Sequence, residues 1–111
     1  MAITSTQVKN SASVMQMTVG RYITTDTAAA FTITTGYKPL YVKVQNLDSS
    51  GAVAVEWYHG MAAASAWKTA KAGDQSLITT LGITQLSYGF TVGLDTDLNV
   101  ISEQLSWMAL G

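Results

Sequence analysis

The chain has 111 residues, no cysteine, one proline and one histidine, which allows one domain of ordinary size and excludes a disulfide scaffold or a thiolate metal site. Its net charge of −1 comes from six basic and seven acidic residues. Lys9, Arg21, Lys38, Lys43, Lys68 and Lys71 are scattered, so there is no basic cluster to release counterions from a phosphate backbone, and nucleic acid is not expected as a partner.

Charged residues make up 12% of the chain, about half the usual share. A surface of Thr, Ser, Ala and Gly in their place suits a chain that is packed against others. Residues 1–12 are small and polar without period and read as an extended arm, followed by a single β-sandwich domain over 13–111. Met1 to Thr6 hold no basic region followed by an apolar run, so no secretory leader is expected. No apolar stretch approaches the ~20 residues of a membrane-spanning helix. The expectation is a soluble protein that acts where it is made or assembled.

Nine of the first 36 residues are threonine, a strand-favouring choice. From Val14 the chain alternates, with Met15, Met17 and Val19 on one face and Gln16 and Thr18 on the other, as in a half-buried strand. Phe31 to Thr35 is a short strand with Phe31 and Ile33 inward, and Gly36-Tyr37-Lys38-Pro39 is a turn. Leu40 to Leu47 is the clearest strand, with Val42 and Val44 on one face and Tyr41, Lys43 and Gln45 on the other. Asn46 to Gly51 reads as a loop of self-capping side chains. Ala52 to His59 sets Val53, Val55 and Trp57 against Ala54, Glu56 and Tyr58.

Gly60 to Gly73 breaks the rhythm and reads as a long loop, too poor in large apolar residues to anchor a helix. Strands at 76–80, 83–86 and 90–92 follow, separated by Gly82 and Gly89, and Leu105 to Leu110 closes the sheet. About eight short antiparallel strands at spacings of roughly ten residues predict an all-β sandwich or barrel. Ile-Thr-Thr recurs at 23–25, 33–35 and 78–80 without a fixed period, as strand vocabulary and not as a repeat.

Little in the chain suits catalysis. Asp95-Thr96-Asp97-Leu98-Asn99 alternates oxygens like a calcium loop, but Val100 and Ser106 stand where that loop needs glycine and glutamate; it reads as a polar turn. His59, the lone histidine, is expected at a strand end or interface. Asp26, Asp48 and Asp74 fall in turns, where aspartate caps backbone amides. Glu56 and Glu103 fall in strands, where a facing pair would be needed for glycoside hydrolysis. No phosphate-binding glycine loop occurs. The expectation is no enzyme, no cofactor and no metal. Trp57 and Trp107 read as core, whereas Tyr58 and Trp67 are candidates for a sugar-stacking platform or a protein contact.

Thr35-Gly36-Tyr37-Lys38-Pro39-Leu40-Tyr41-Val42-Lys43-Val44-Gln45-Asn46 resembles a strand entry of small tailed-phage virion proteins. Trp57-Tyr58-His59-Gly60-Met61-Ala62, Gly89–Val92 and Ser106–Leu110 extend the likeness, although His59 replaces an expected acidic residue. Over residues 31–111 the chain resembles the capsid cement, or staple, proteins of epsilon-fifteen-like short-tailed bacteriophages. That resemblance implies a jelly-roll-like fold, a homodimer on the outer surface of the virion, and clamping of neighbouring copies of the major capsid protein. Candidate capsid or dimer contacts are Val14, Met15, Met17, Tyr58 and Trp67. The rival expectation is a carbohydrate-binding module of a phage fibre or bacterial surface protein, for which Tyr58 and Trp67 would be exposed and coplanar.

Overall fold

In the computed structural model, residues 16–23, 29–48, 52–95 and 98–111 are described. Among these residues, eight antiparallel strands form a single sheet: β1 (Met17–Ile23), β2 (Phe31–Thr34), β3 (Tyr41–Asn46), β4 (Ala54–Tyr58), β5 (Ser65–Thr69), β6 (Gln75–Gln85), β7 (Gly89–Val92) and β8 (Gln104–Leu110). Their order is β1-β8-β3-β4-β5-β6-β7-β2. The middle four strands run as a meander; β8 and β7 flank it, and β1 and β2 form the two edges. The expected all-β architecture of eight antiparallel strands is therefore present, as one sheet curled on itself.

The curl is held by contacts that skip along the strand order. Phe90 of β7 meets Trp107 of β8 edge to face at 5.5 Å, and Tyr22 of β1 meets Phe31 of β2 at 4.0 Å. Gln85 donates its side-chain amide to the Pro39 carbonyl at 2.6 Å. The Tyr37 hydroxyl reaches both Thr18 Oγ1 and the Ala109 carbonyl, each at 2.9 Å, and so ties the 35–40 turn to β1 and β8. The result is a flat body of 45 × 35 × 20 Å.

The enclosed core follows from alternation. Val42 and Val44 of β3, Val55 and Trp57 of β4, Phe90 and Val92 of β7, and Leu105 and Ala109 of β8 all point inward and are buried. Burying one side chain of this size stabilises the fold by roughly 1.5–3 kcal/mol. Ile83 and Leu98 complete the cluster.

Three expectations are corrected. The first concerns β1, whose faces are reversed. Met17, Val19 and Ile23 are exposed, and Thr18, Gly20 and Tyr22 face inward. The cause is Trp107, directly opposite Gly20 on β8. A Cβ on Gly20 would sit 2.5 Å from the indole, so the inward position of β1 has room for no side chain there. Tyr22, two residues on, finds an inward partner in Asn99 Oδ1 at 2.7 Å.

The second correction is β5, which lies inside the stretch read as a loop. Its inward residues are Ala66 and Lys68, too small and too polar to mark a strand, and the lysine is matched by Asp95. The third is β6, one strand where two were expected. Ser65 pairs with Ile83 and the next residue, Ala66, with Ile78, so Thr79 to Gly82 form a bulge. Leu81 there has φ 62°, and Gly82 packs so closely on the Ser65 backbone that a Cβ would lie 2.6 Å from it.

Gly89 pairs with Thr34, and a Cβ added to it would collide with the Ile33 carbonyl oxygen. Gly89→Ala is expected to push β2 off β7 and cost roughly 1–3 kcal/mol. Urea unfolding checks this; an unchanged midpoint would mean that β2 is not seated as described.

Candidate interaction surface

Directly paired residues of an antiparallel sheet share a face, so the register lays out the outer surface row by row. One row runs Val19, Met108, Lys43, Glu56, Trp67, Leu77 across six strands. The row beside it runs Met17, Leu110, Tyr41, Tyr58. An antiparallel sheet with one solvated face normally turns polar residues outward. Here Val19 is 64% exposed, Leu77 57% and Met17 54%, and Ile23 and Leu47 are also exposed. Exposed apolar side chains gathered on an outer face mark a contact surface; here Met17, Val19, Ile23 and Leu47 lie toward its β1 side, and Leu77 stands beyond Lys43 and Glu56. Between β1 and β3 the surface dips into a shallow groove lined by Val19, Lys43, Leu47 and Met108.

The centre of the face is a carboxylate held by two tyrosines. Tyr41 donates its hydroxyl to Glu56 Oε2 at 2.7 Å and Tyr58 to the same oxygen at 2.9 Å. The Tyr41 hydroxyl lowers the Glu56 pKa; burial opposes this, and the Tyr58 hydroxyl and the Lys43 charge add to the lowering. Burial raises the Tyr41 pKa, with the bond to Glu56 and its charge adding to the rise. Tyr58 is raised chiefly by its bond to the same carboxylate. The two rings stand 5.4 Å apart at 56°. They form an inclined wedge, whereas stacking of a sugar ring calls for a plane.

The residues singled out from sequence divide accordingly. Tyr58 and Trp67 come together on the outer face: Trp67 is directly across from Glu56, and Tyr58 bonds it. Tyr58 is 45% exposed and Trp67 half-buried. Met17 lies on the same face, at its β1 margin. Val14 and Met15 lie outside the described residues. Tyr41, Val19, Ile23 and Leu77 belong to the surface but carry no sequence signal for it, since only the strand register places them there.

Of the other polar residues singled out from sequence, Glu103 and Asp95 are bonded within the fold. His59 is exposed in the turn after β4. Glu103 lies just before β8 and accepts from Asn46 Nδ2 at 2.9 Å; Asn46 points inward from β3, so Glu103 and Glu56 belong to opposite faces of the sheet. Asp95 accepts the N–H groups of Leu98 and Asn99 and binds Lys68 Nζ at 3.0 Å. It caps the turn that carries Leu98 into the core. Asn46 Nδ2 also reaches the Leu98 carbonyl at 3.1 Å. Among the described residues, no group of three His, Asp or Glu is placed to hold a metal ion, and no helix is long and apolar enough to cross a membrane.

The depressed Glu56 pKa carries a pH signature. A carboxylate with a lowered folded-state pKa adds stability above its unfolded value, and the contribution disappears as pH falls through the folded pKa. Wild type should therefore exceed Glu56→Gln in stability at pH 7, with the gap closing below the ordinary value of 4.5. Urea midpoints of both proteins between pH 3 and 7 test this; a gap independent of pH would mean that the tyrosines do not hold the charge. Compared with protein-family models, curated proteins and solved structures, the chain matches none.

Proposed function

We propose that the protein is a structural virion component that binds the outside of a phage head as a homodimer and clamps neighbouring copies of the major capsid protein. The observation that carries this reading is the apolar outer face of the sheet, with the Tyr41–Glu56–Tyr58 wedge at its centre. Tyrosines fixed by a shared hydrogen-bond partner lose little freedom on docking and suit the centre of an interface. The segments that carry the sequence resemblance fall on β3, the end of β4, β7 and β8, the strands that build the core and much of this face.

A reinforcing protein needs no active site. It binds the assembled shell and so stabilises that state by mass action. A footprint of about 800 Å² per partner is enough for a stable contact, and a clamp across several subunits adds effective concentration to each one. Residues 2–12, ahead of Val14 and Met15, are proposed to add a strand to a capsid sheet edge.

Co-sedimentation with undecorated heads, before and after shell expansion, tests the reading. Saturable binding at a fixed ratio to the major capsid protein, with a raised shell melting temperature, is the expected result. Binding to neither form would overturn it and favour a screen against glycans. Tyr58→Ala is expected to weaken head binding at least about tenfold while the unfolding midpoint stays close to wild type. Deleting residues 2–12 should also weaken binding and leave the fold intact; undiminished binding would remove the arm from the proposal.

A further inference from the structure

The two edges of the sheet differ in what they leave open. Gly111 donates its N–H to the Gln16 carbonyl, and bonded and non-bonded pairs alternate along an antiparallel ladder. The bonded pairs of β1 and β8 therefore fall at Thr18–Ala109, Gly20–Trp107 and Tyr22–Leu105. The N–H and C=O groups of Met17, Val19, Arg21 and Ile23 project from the free side. At the other edge Thr35 donates to the Tyr88 carbonyl, which leaves Thr32 and Thr34 as the free residues of the four-residue β2. That edge is short and polar. The β1 edge is seven residues long, without proline and with one charge, and three of its four free residues also turn an apolar side chain to solvent. Among the described residues, no backbone group bonds to it. Long apolar edges of this kind are templates for another strand.

We infer that the β1 edge pairs with the β1 edge of a second copy, antiparallel about a two-fold axis through Gly20. This takes up the homodimer of the proposed function and rests on that reading for the identity of the occupant. The strand is complementary to itself in only one full-length register. Bonded pairs there must join free residues to free residues, and Met17 opposite Ile23 of the second copy, with Val19 opposite Arg21, satisfies this along the whole strand. Apolar side chains meet apolar side chains at the ends. Each Arg21 faces a valine and not the other arginine, so no like charges are opposed. Four bonded pairs give about eight backbone hydrogen bonds, close to the roughly ten of an ordinary interface. The contact is isologous and makes the two outer apolar faces continuous.

The alternation supplies a clean test. Val19→Pro removes an N–H that β8 does not use, whereas Thr18→Pro would break the β1–β8 ladder. Sedimentation equilibrium of wild type should show a dimer. Val19→Pro should raise its dissociation constant at least about tenfold, with circular dichroism unchanged and with the thermal midpoint of wild type matched at concentrations low enough for both to be monomeric. Should the variant fail to fold, amide exchange of wild type decides: Val19 and Arg21 must gain protection as protein concentration rises, while Thr18 and Tyr22 are protected throughout. A dimer as tight in Val19→Pro, or exchange at Val19 and Arg21 unaffected by dimerisation, overturns the pairing. Wild type that is monomeric yet binds heads would also overturn it and leave the capsid reading standing. Protection that develops only on heads would assign the edge to a capsid strand, against the second copy. A dimer with the expected protection that ignores heads would support the pairing and sink the capsid reading.

Discussion

Trp107 fills the space between the two halves of the curled sheet, and the outer surface depends on it. Its indole packs edge to face on Phe90 and occupies the volume that a side chain at position 20 would need. Because side chains alternate along a strand, closing the inward position at Gly20 fixes the facing of every residue of β1. Met17, Val19 and Ile23 are thereby turned away from the core and are exposed among the described residues. One large residue in the interior thus creates the apolar margin of the exterior.

The ends of the sheet are secured by polar means. Asn46, Asp95 and Asn99 are buried, and each is bonded: Asn46 to Leu98 and Glu103, Asp95 to Lys68 and the 98–99 backbone, Asn99 to Tyr22. Buried polar groups satisfied in this way specify one arrangement of the chain, since any shift would leave a donor or acceptor unpaired at a cost of about 1–3 kcal/mol. The network links β1, β3 and β5 to the segment before β8. It also accounts for a lysine on an inward strand position, which no alternation rule anticipates.

The legible parts of the sequence are those where the two faces of a strand differ in character. Val42 and Val44, and Val55 and Trp57, are large and β-favouring, and their opposite neighbours are polar or aromatic; β3 and β4 were therefore readable. In β5 the inward pair is Ala66 and Lys68, so the period was hidden. In β1 the apolar residues signalled burial, and the correction lay in Trp107, remote in sequence. Tyr58 and Trp67 stood out as aromatics. Their gathering around Glu56 depends on cross-strand register, which a single strand's pattern does not contain. The surface was visible as ingredients and not as an arrangement.

The pairing of Met17 with Leu110 also dictates an order of events during synthesis. The meander from β3 to β6 joins neighbours in sequence and can form as the chain emerges. β1, the first of the eight described strands, has its ladder partner in β8, the last of them. Non-local closure of this kind is slow because the loop entropy is spent before the contacts form. Until β8 is made, then, β1 lacks its ladder partner, and its apolar side chains add to the surface left exposed. Whatever protects the nascent protein from aggregation has to act on that segment until β8 leaves the ribosome.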